Sequence, residues 1–107
     1  MKVTTSYKHL ESTEAVEEIT AKKSSKLEKY FSGRINLKWN FAVEKEGHVA
    51  HCHLIGPAHI EFFAEAVTQS LYSGIDEVIA KLEKQIKRKK EILKNHKGFT
   101  QLAYAGA

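Results

Sequence analysis

From Ile35 to Glu44 the chain alternates. Ile35, Leu37, Trp39, Phe41 and Val43 are apolar, and Asn36, Lys38, Asn40, Ala42 and Glu44 separate them. A period of two is the mark of a strand with one buried face. Two neighbours repeat it after a turn at Glu46-Gly47 and a break at Gly56-Pro57. In His48–Ile55 the inward set is Ala50, Cys52 and Leu54, with His51 and His53 outward. In His59–Val67 it is Ile60, Phe62, Ala64 and Ala66. Val3–Tyr7, β-branched and aromatic, reads as a first strand. Elsewhere the period is helical. Leu71, Ile75, Val78, Ile79, Leu82, Ile86 and Leu93 recur at three- and four-residue spacing, which gathers them into one stripe of a helix over 71–94 capped by Ser70. A first helix runs from a Ser12 or Thr13 cap to Lys29 or Tyr30, with Glu14, Glu17 and Glu18 in its first turns and Ser32-Gly33 at its stop. Its buried side is Val16, Ile19, Leu27, Tyr30 and Phe31, and Lys23 falls within that side and must snorkel.

The order β-α-β-β-β-α predicts an α+β two-layer sandwich, with two helices packed on one face of a four-stranded, mostly antiparallel sheet. The other face is expected to meet water, which suits Lys38, Asn40, His51, His53 and Glu61. Residues 1–97 read as a single domain. Residues 98–107 have no period and read as a flexible tail.

Composition sharpens this picture in one place. The chain has 107 residues and a formal net charge of +4. Lys81, Lys84, Lys87, Arg88, Lys89, Lys90, Lys94 and Lys97 face only Glu83 and Glu91 between positions 81 and 97. That segment exceeds the whole net charge, so the remainder is slightly acidic. A helix with one apolar stripe and cations around the rest can dock on a core and present the cations to a polyanion, which points to nucleic acid. A solvated lysine-rich helix is the plainer alternative.

The other chemistry is sparse. Cys52 is the one cysteine, so no internal disulfide is available, and a reducing, cytoplasmic setting is expected. The N-terminus has no apolar signal core, no run is long enough to cross a bilayer, and no membrane partner is expected. No glycine-rich phosphate loop or nucleophile motif is present, so no enzyme and no cofactor are expected. His51, His53 and His59 could make the open sheet face a metal- or ligand-binding surface, although no carboxylate or thiolate stands at ligand spacing. Trp39 reads as core, and Tyr72 as a packing residue beside the helix start.

Two segments resemble the ribosome hibernation promoting factor family, which includes the ribosome-associated inhibitor A and sigma-54 modulation proteins. The first is Thr13-Glu14-Ala15-Val16 with Lys23 and Lys26-Leu27-Glu28-Lys29-Tyr30-Phe31. The second is Leu71-Tyr72, Gly74-Ile75-Asp76 and Lys81-Leu82-Glu83-Lys84-Gln85-Ile86. The match covers roughly residues 1–95, and the chain looks like a short form without the dimerisation domain of longer members. It departs from the family at Ser70, where Asp is usual, and at Ser73-Gly74, where two alanines are usual. Ser keeps a capping oxygen but lacks the charge, and Gly lowers helix propensity by up to about 1 kcal/mol.

The resemblance implies a non-catalytic, cytoplasmic, ribosome-associated factor, monomeric when free. Its partner would be the small ribosomal subunit, with its 16S rRNA and 30S proteins, in 70S or paired 100S particles. Such a factor would lie in the channel used by messenger and transfer RNA and inhibit translation in stationary phase or stress. The residues expected on rRNA are Lys22, Lys23, Lys26 and Lys29 of the first helix, and Lys81, Lys84, Lys87, Arg88, Lys90 and Lys94 of the second. Mobile ammonium groups suit phosphates presented at many angles.

Overall fold

The computed structural model describes residues 1–94, with side chains through Ile92. The expected tail at 98–107, the stripe residue Leu93 and the side chain of Lys94 lie outside the described residues. Eight elements follow one another: β1 (Lys2–Lys8), α1 (Glu14–Ser24), a 3₁₀ segment (Ser25–Tyr30), β2 (Asn36–Glu44), β3 (Gly47–Ile55), a short 3₁₀ turn (Pro57–His59), β4 (Glu61–Thr68) and α2 (Leu71–Lys94). The strands form one sheet in the order β1-β2-β3-β4. β1 pairs parallel to β2, through the crossover that α1 supplies, and the other two pairings are antiparallel. Both helices cover the same face, as the α+β reading expects.

The alternation read from sequence sets the register. Leu37, Trp39 and Phe41 of β2 stand opposite Leu54, Cys52 and Ala50 of β3, and Phe62, Ala64 and Ala66 of β4 continue the same rows. All nine are buried, and they meet Ile75, Val78, Ile79, Leu82 and Ile86 of α2 in one core. Each large aliphatic side chain taken fully out of water contributes about 1.5–3 kcal/mol, so the α2 stripe is the largest single anchor of the helical layer. Gly74 lets α2 approach the sheet. A Cβ there would sit 3.2 Å from both the Ala50 Cβ and the Thr68 Oγ1, so this glycine packs toward β3 and β4. The turn joining β2 to β3 needs Gly47, which has φ +140° and no room for a Cβ beside the Thr68 carbonyl.

Three expectations need correction. The first helix is not α-helical to Lys29 or Tyr30. Thr13 caps it as expected, its Oγ1 accepting from the Val16 amide, but the α geometry ends at Ser24 and continues as 3₁₀. Two serines account for the change. The Ser25 hydroxyl donates to the Lys22 carbonyl at 2.7 Å, and the Ser24 hydroxyl accepts from the Trp39 indole N–H at 3.0 Å. Hydroxyls that take part in local or tertiary bonds compete with the regular helix ladder. Secondly, β4 starts at Glu61, because Pro57–His59 forms a separate turn with Ala58 and His59 at positive φ. His59 is therefore exposed outside the sheet. Thirdly, Tyr72 is not packed: it is 49% exposed on the first turn of α2.

Candidate nucleic-acid interface

Two contacts fix how the helices lie. The Lys23 Nζ is 3.0 Å from an Asp76 carboxylate oxygen, and the Tyr30 hydroxyl donates to a Glu83 carboxylate oxygen at 2.8 Å. Both partners advance by seven residues between the two contacts, so α1 and α2 run side by side in the same direction. Both C-terminal ends therefore point the same way, with the first arm ending level with Glu83 and α2 running about three turns beyond it. Cations there are also favoured by the partial negative charge of the helix ends.

The basic residues of α2 do not form one patch. Helical spacing places Lys87 and Lys90 on the side of Asp76 and Glu83, which is the side that meets α1. Lys22, Lys26 and Lys29 of the first helical segment are exposed along the same flank. Lys84 and Lys87 are fully on the solvent side of the stripe. On the opposite side of α2, Lys81 lies against β4. Its Nζ donates to the Glu65 carbonyl at 2.7 Å, and Gln85 donates to the Phe63 carbonyl at the same distance. Arg88, two turns on from Lys81, is exposed on that side. Of the ten candidates, then, Lys22, Lys26, Lys29, Lys84, Lys87 and Arg88 present exposed cations. Lys23 is tied to Asp76 and Lys81 to a backbone carbonyl. Lys90 is half-buried, and the side chain of Lys94 is outside the described residues. Exposed ion pairs such as Lys23–Asp76 are worth about 0.2–1 kcal/mol, so a polyanion could compete for that lysine.

The sequence reading passed over Lys89. It stands seven residues after Leu82, a slot that predicts core. By Gln85 the helix is already level with Phe63, near the start of β4. One turn later it is leaving the sheet, so Lys89 lines an open cleft with His59, Ile60, Glu61, Phe62 and Phe63 instead of entering the core. Only the length of β4 relative to α2 could have revealed this.

Two buried groups are protonation-locked. Burial, reinforced by Glu83, pushes the Tyr30 phenol up to about 12, so it stays a hydrogen-bond donor. Burial alone pushes the Cys52 thiol up to about 12, which makes it a poor nucleophile at neutral pH. On the open sheet face His51 and His53 do point to one side, toward Phe63. Among the described residues no group of three or more His, Cys, Asp or Glu is placed to hold a metal ion. No helix there is long and apolar enough to cross a membrane.

Comparison with known proteins adds lineage to this geometry. Residues 3–94 match the family model described as sigma 54 modulation protein / S30EA ribosomal protein. The chain is 41% identical over 91 residues to a ribosome hibernation promoting factor of Salmonella typhimurium, and 40% identical over 91 residues to its namesake in Escherichia coli. Each alignment covers 82% of this chain and 92% of the relative. Among solved structures, the N-terminal domain of Protein Y from Thermus thermophilus superposes with a TM-score of 0.77 at 26% identity, covering 83% of this chain and 99% of that one. A ribosomal subunit interface protein from Coxiella burnetii shares the fold, with a TM-score of 0.74 at 21% identity over 85% of this chain and 99% of that one.

Proposed function

The chain belongs to the sigma 54 modulation protein / S30EA ribosomal protein family, and from that premise we propose that it is a hibernation factor that binds the small ribosomal subunit and silences translation by occupancy. The seat proposed is the channel of messenger RNA and the A- and P-site transfer RNAs. The observation that carries this reading is the parallel pair of helices with exposed cations along one flank: Lys22, Lys26 and Lys29 on the first segment, starting beside Tyr72, and Lys84 and Lys87 further along α2. A rigid sandwich displaying mobile ammonium groups at several heights suits the irregular phosphate surface of a folded RNA. The site needs no reactive group, in keeping with the locked Tyr30 and Cys52.

Competition tests the seat. Purified 30S subunits loaded with messenger RNA and P-site transfer RNA should exclude the protein, and simultaneous binding with initiator transfer RNA would refute channel occupancy. The triple variant Lys84→Gln, Lys87→Gln, Arg88→Gln tests the surface. It keeps long, helix-compatible side chains. Thermal stability should change little, whereas 30S affinity should fall, with a shallower dependence on salt. Unchanged affinity at physiological salt would mean that these cations are merely solvated. Sedimentation of ribosomes with added protein would show whether bound particles stay single or pair as 100S.

A further inference from the structure

The open face of the sheet is divided in two. On β1 and β2 it carries Lys2, Lys8 and Lys38 among small polar residues. On β3 and β4 it carries a different strip. Phe63 and Val67 are 53% and 49% exposed, four residues apart on the same side of β4. Glu61 and Glu65 alternate with them, also exposed. Across the strand pairing, His53 stands opposite Phe63, His51 opposite Glu65 and Val49 opposite Val67. The strip is ordered before any partner arrives. The His53 ring stacks on Phe63 at 4.2 Å between centroids and 14° between planes, and its Nε2 is 2.9 Å from a Glu61 carboxylate oxygen. One face of the Phe63 ring is thus occupied, and much of the rest remains in water.

We propose that this β3–β4 strip is a second docking surface, which takes a segment of a basic ribosomal protein, with apolar side chains on Phe63 and Val67 and cations on Glu61 and Glu65. The inference rests on the ribosome-binding reading above. Charge decides the class of occupant. Two carboxylates flank the exposed ring on its own strand, outnumbering Lys89, which lines the cleft beside Glu61 and Phe63, and they would repel the phosphates of any RNA whose base stacked there. A cationic polypeptide is attracted to the same carboxylates, and Lys2, Lys8 and Lys38 turn it away from the other half of the sheet. Proteins embedded in ribosomal RNA carry such cations because they neutralise phosphate. The mode of docking is also constrained. The Phe63 and Glu65 carbonyls on the outer edge of β4 already accept from Gln85 and Lys81. The partner must therefore lie on the face of the strip and not extend the sheet as a further strand.

A charge reversal reads the sign of the contact. Glu61→Lys with Glu65→Lys should weaken binding to purified 30S subunits about tenfold if the occupant is a basic protein segment. It should strengthen binding if the strip faces phosphate, and an increase or no change overturns the proposal. Phe63→Ser should weaken binding without altering the salt dependence, because it removes contact area and no charge. All three positions are exposed, so circular dichroism should match the parent, and the melting temperature should fall only slightly through loss of the His53 stack and the His53–Glu61 contact. A photo-crosslinking residue at Val67, used on the parent protein bound to 30S, should join a ribosomal protein. A crosslink only to rRNA, or to a second copy of this chain, overturns the proposal while leaving the ribosome-binding reading intact. Failure of the parent itself to bind 30S would overturn that reading, and this inference with it.

Discussion

α1 and α2 lie side by side and both carry lysines outward, yet they are held to the sheet by different means. α2 buries a continuous stripe of Leu71, Ile75, Val78, Ile79, Leu82 and Ile86. α1 turns Val16, Thr20 and Ser24 to the core, at four-residue spacing, and two of the three are polar. Those hydroxyls are satisfied internally: Thr20 Oγ1 donates to the Val16 carbonyl at 2.7 Å, and Ser24 accepts from Trp39. The apolar burial of this arm is concentrated further on, at Leu27, Tyr30 and Phe31 in and just after the 3₁₀ segment. A helix anchored by area tolerates small shifts, because burial has no preferred direction. One anchored by a buried hydrogen bond is fixed in position but fails if a single partner is lost.

The largest effect should come from the stripe. Leu82→Ala removes a fully buried side chain, and urea unfolding should show a loss of about 2–5 kcal/mol. A loss below about 1 kcal/mol would mean that α2 is not the dominant anchor. Next comes Ser24→Ala, which leaves the Trp39 indole N–H buried without its acceptor. It should cost about 1–3 kcal/mol although only one small atom is removed. A neutral outcome would erase the contrast between the helices. The smallest effect at neutral pH is Tyr30→Phe, which loses one hydrogen bond to Glu83 and about 0.5–1.5 kcal/mol. Its pH behaviour is the sharper test. The folded-state pKa, about 12, lies above the ordinary phenol value of 10.0, so folding favours the neutral form. That contribution is complete below pH 10 and is lost as pH rises through about 12. Alkaline unfolding followed by circular dichroism should be shallower in Tyr30→Phe than in the parent, and the step that remains includes that of Cys52, whose thiol is also held neutral up to about 12.

The sequence yielded the parts of the fold that depend on local period. Every strand and both helices were legible, because alternation in β2 and the stripe in α2 place the apolar side chains without knowledge of their neighbours, Val43 at the strand end being half-buried instead of core and Leu93 lying outside the described side chains. Polar core residues were not legible. Thr20 and Ser24 look like solvent positions, and only Trp39, distant in sequence, makes Ser24 a core residue. The shift to 3₁₀ at Ser25 escaped for the same reason. Tyr72 misled because an aromatic beside an apolar stripe reads as packing, whereas the helix carries it past the core into water. For the candidate interface, the sequence supplied the cations but not their engagements. Asp76 claims Lys23, and the Glu65 backbone claims Lys81, through contacts between segments far apart in the chain.

The bonds from Lys81 and Gln85 to β4 matter most when many copies crowd together. Sheets polymerise by adding strands at open edges, and fibrils grow that way. A copy arriving at β4 finds the Phe63 and Glu65 carbonyls taken. At the other edge, β1 begins with Lys2 and ends with Lys8. A symmetric antiparallel pair centred on Thr5 would set each Lys2 against the Lys8 of its mate, and like charges directly opposite are unfavourable. One edge is thus partly covered by hydrogen bonds and the other guarded by repulsion. The fold resists fibrillar aggregation at both margins of its sheet, and it does so with three of its lysines.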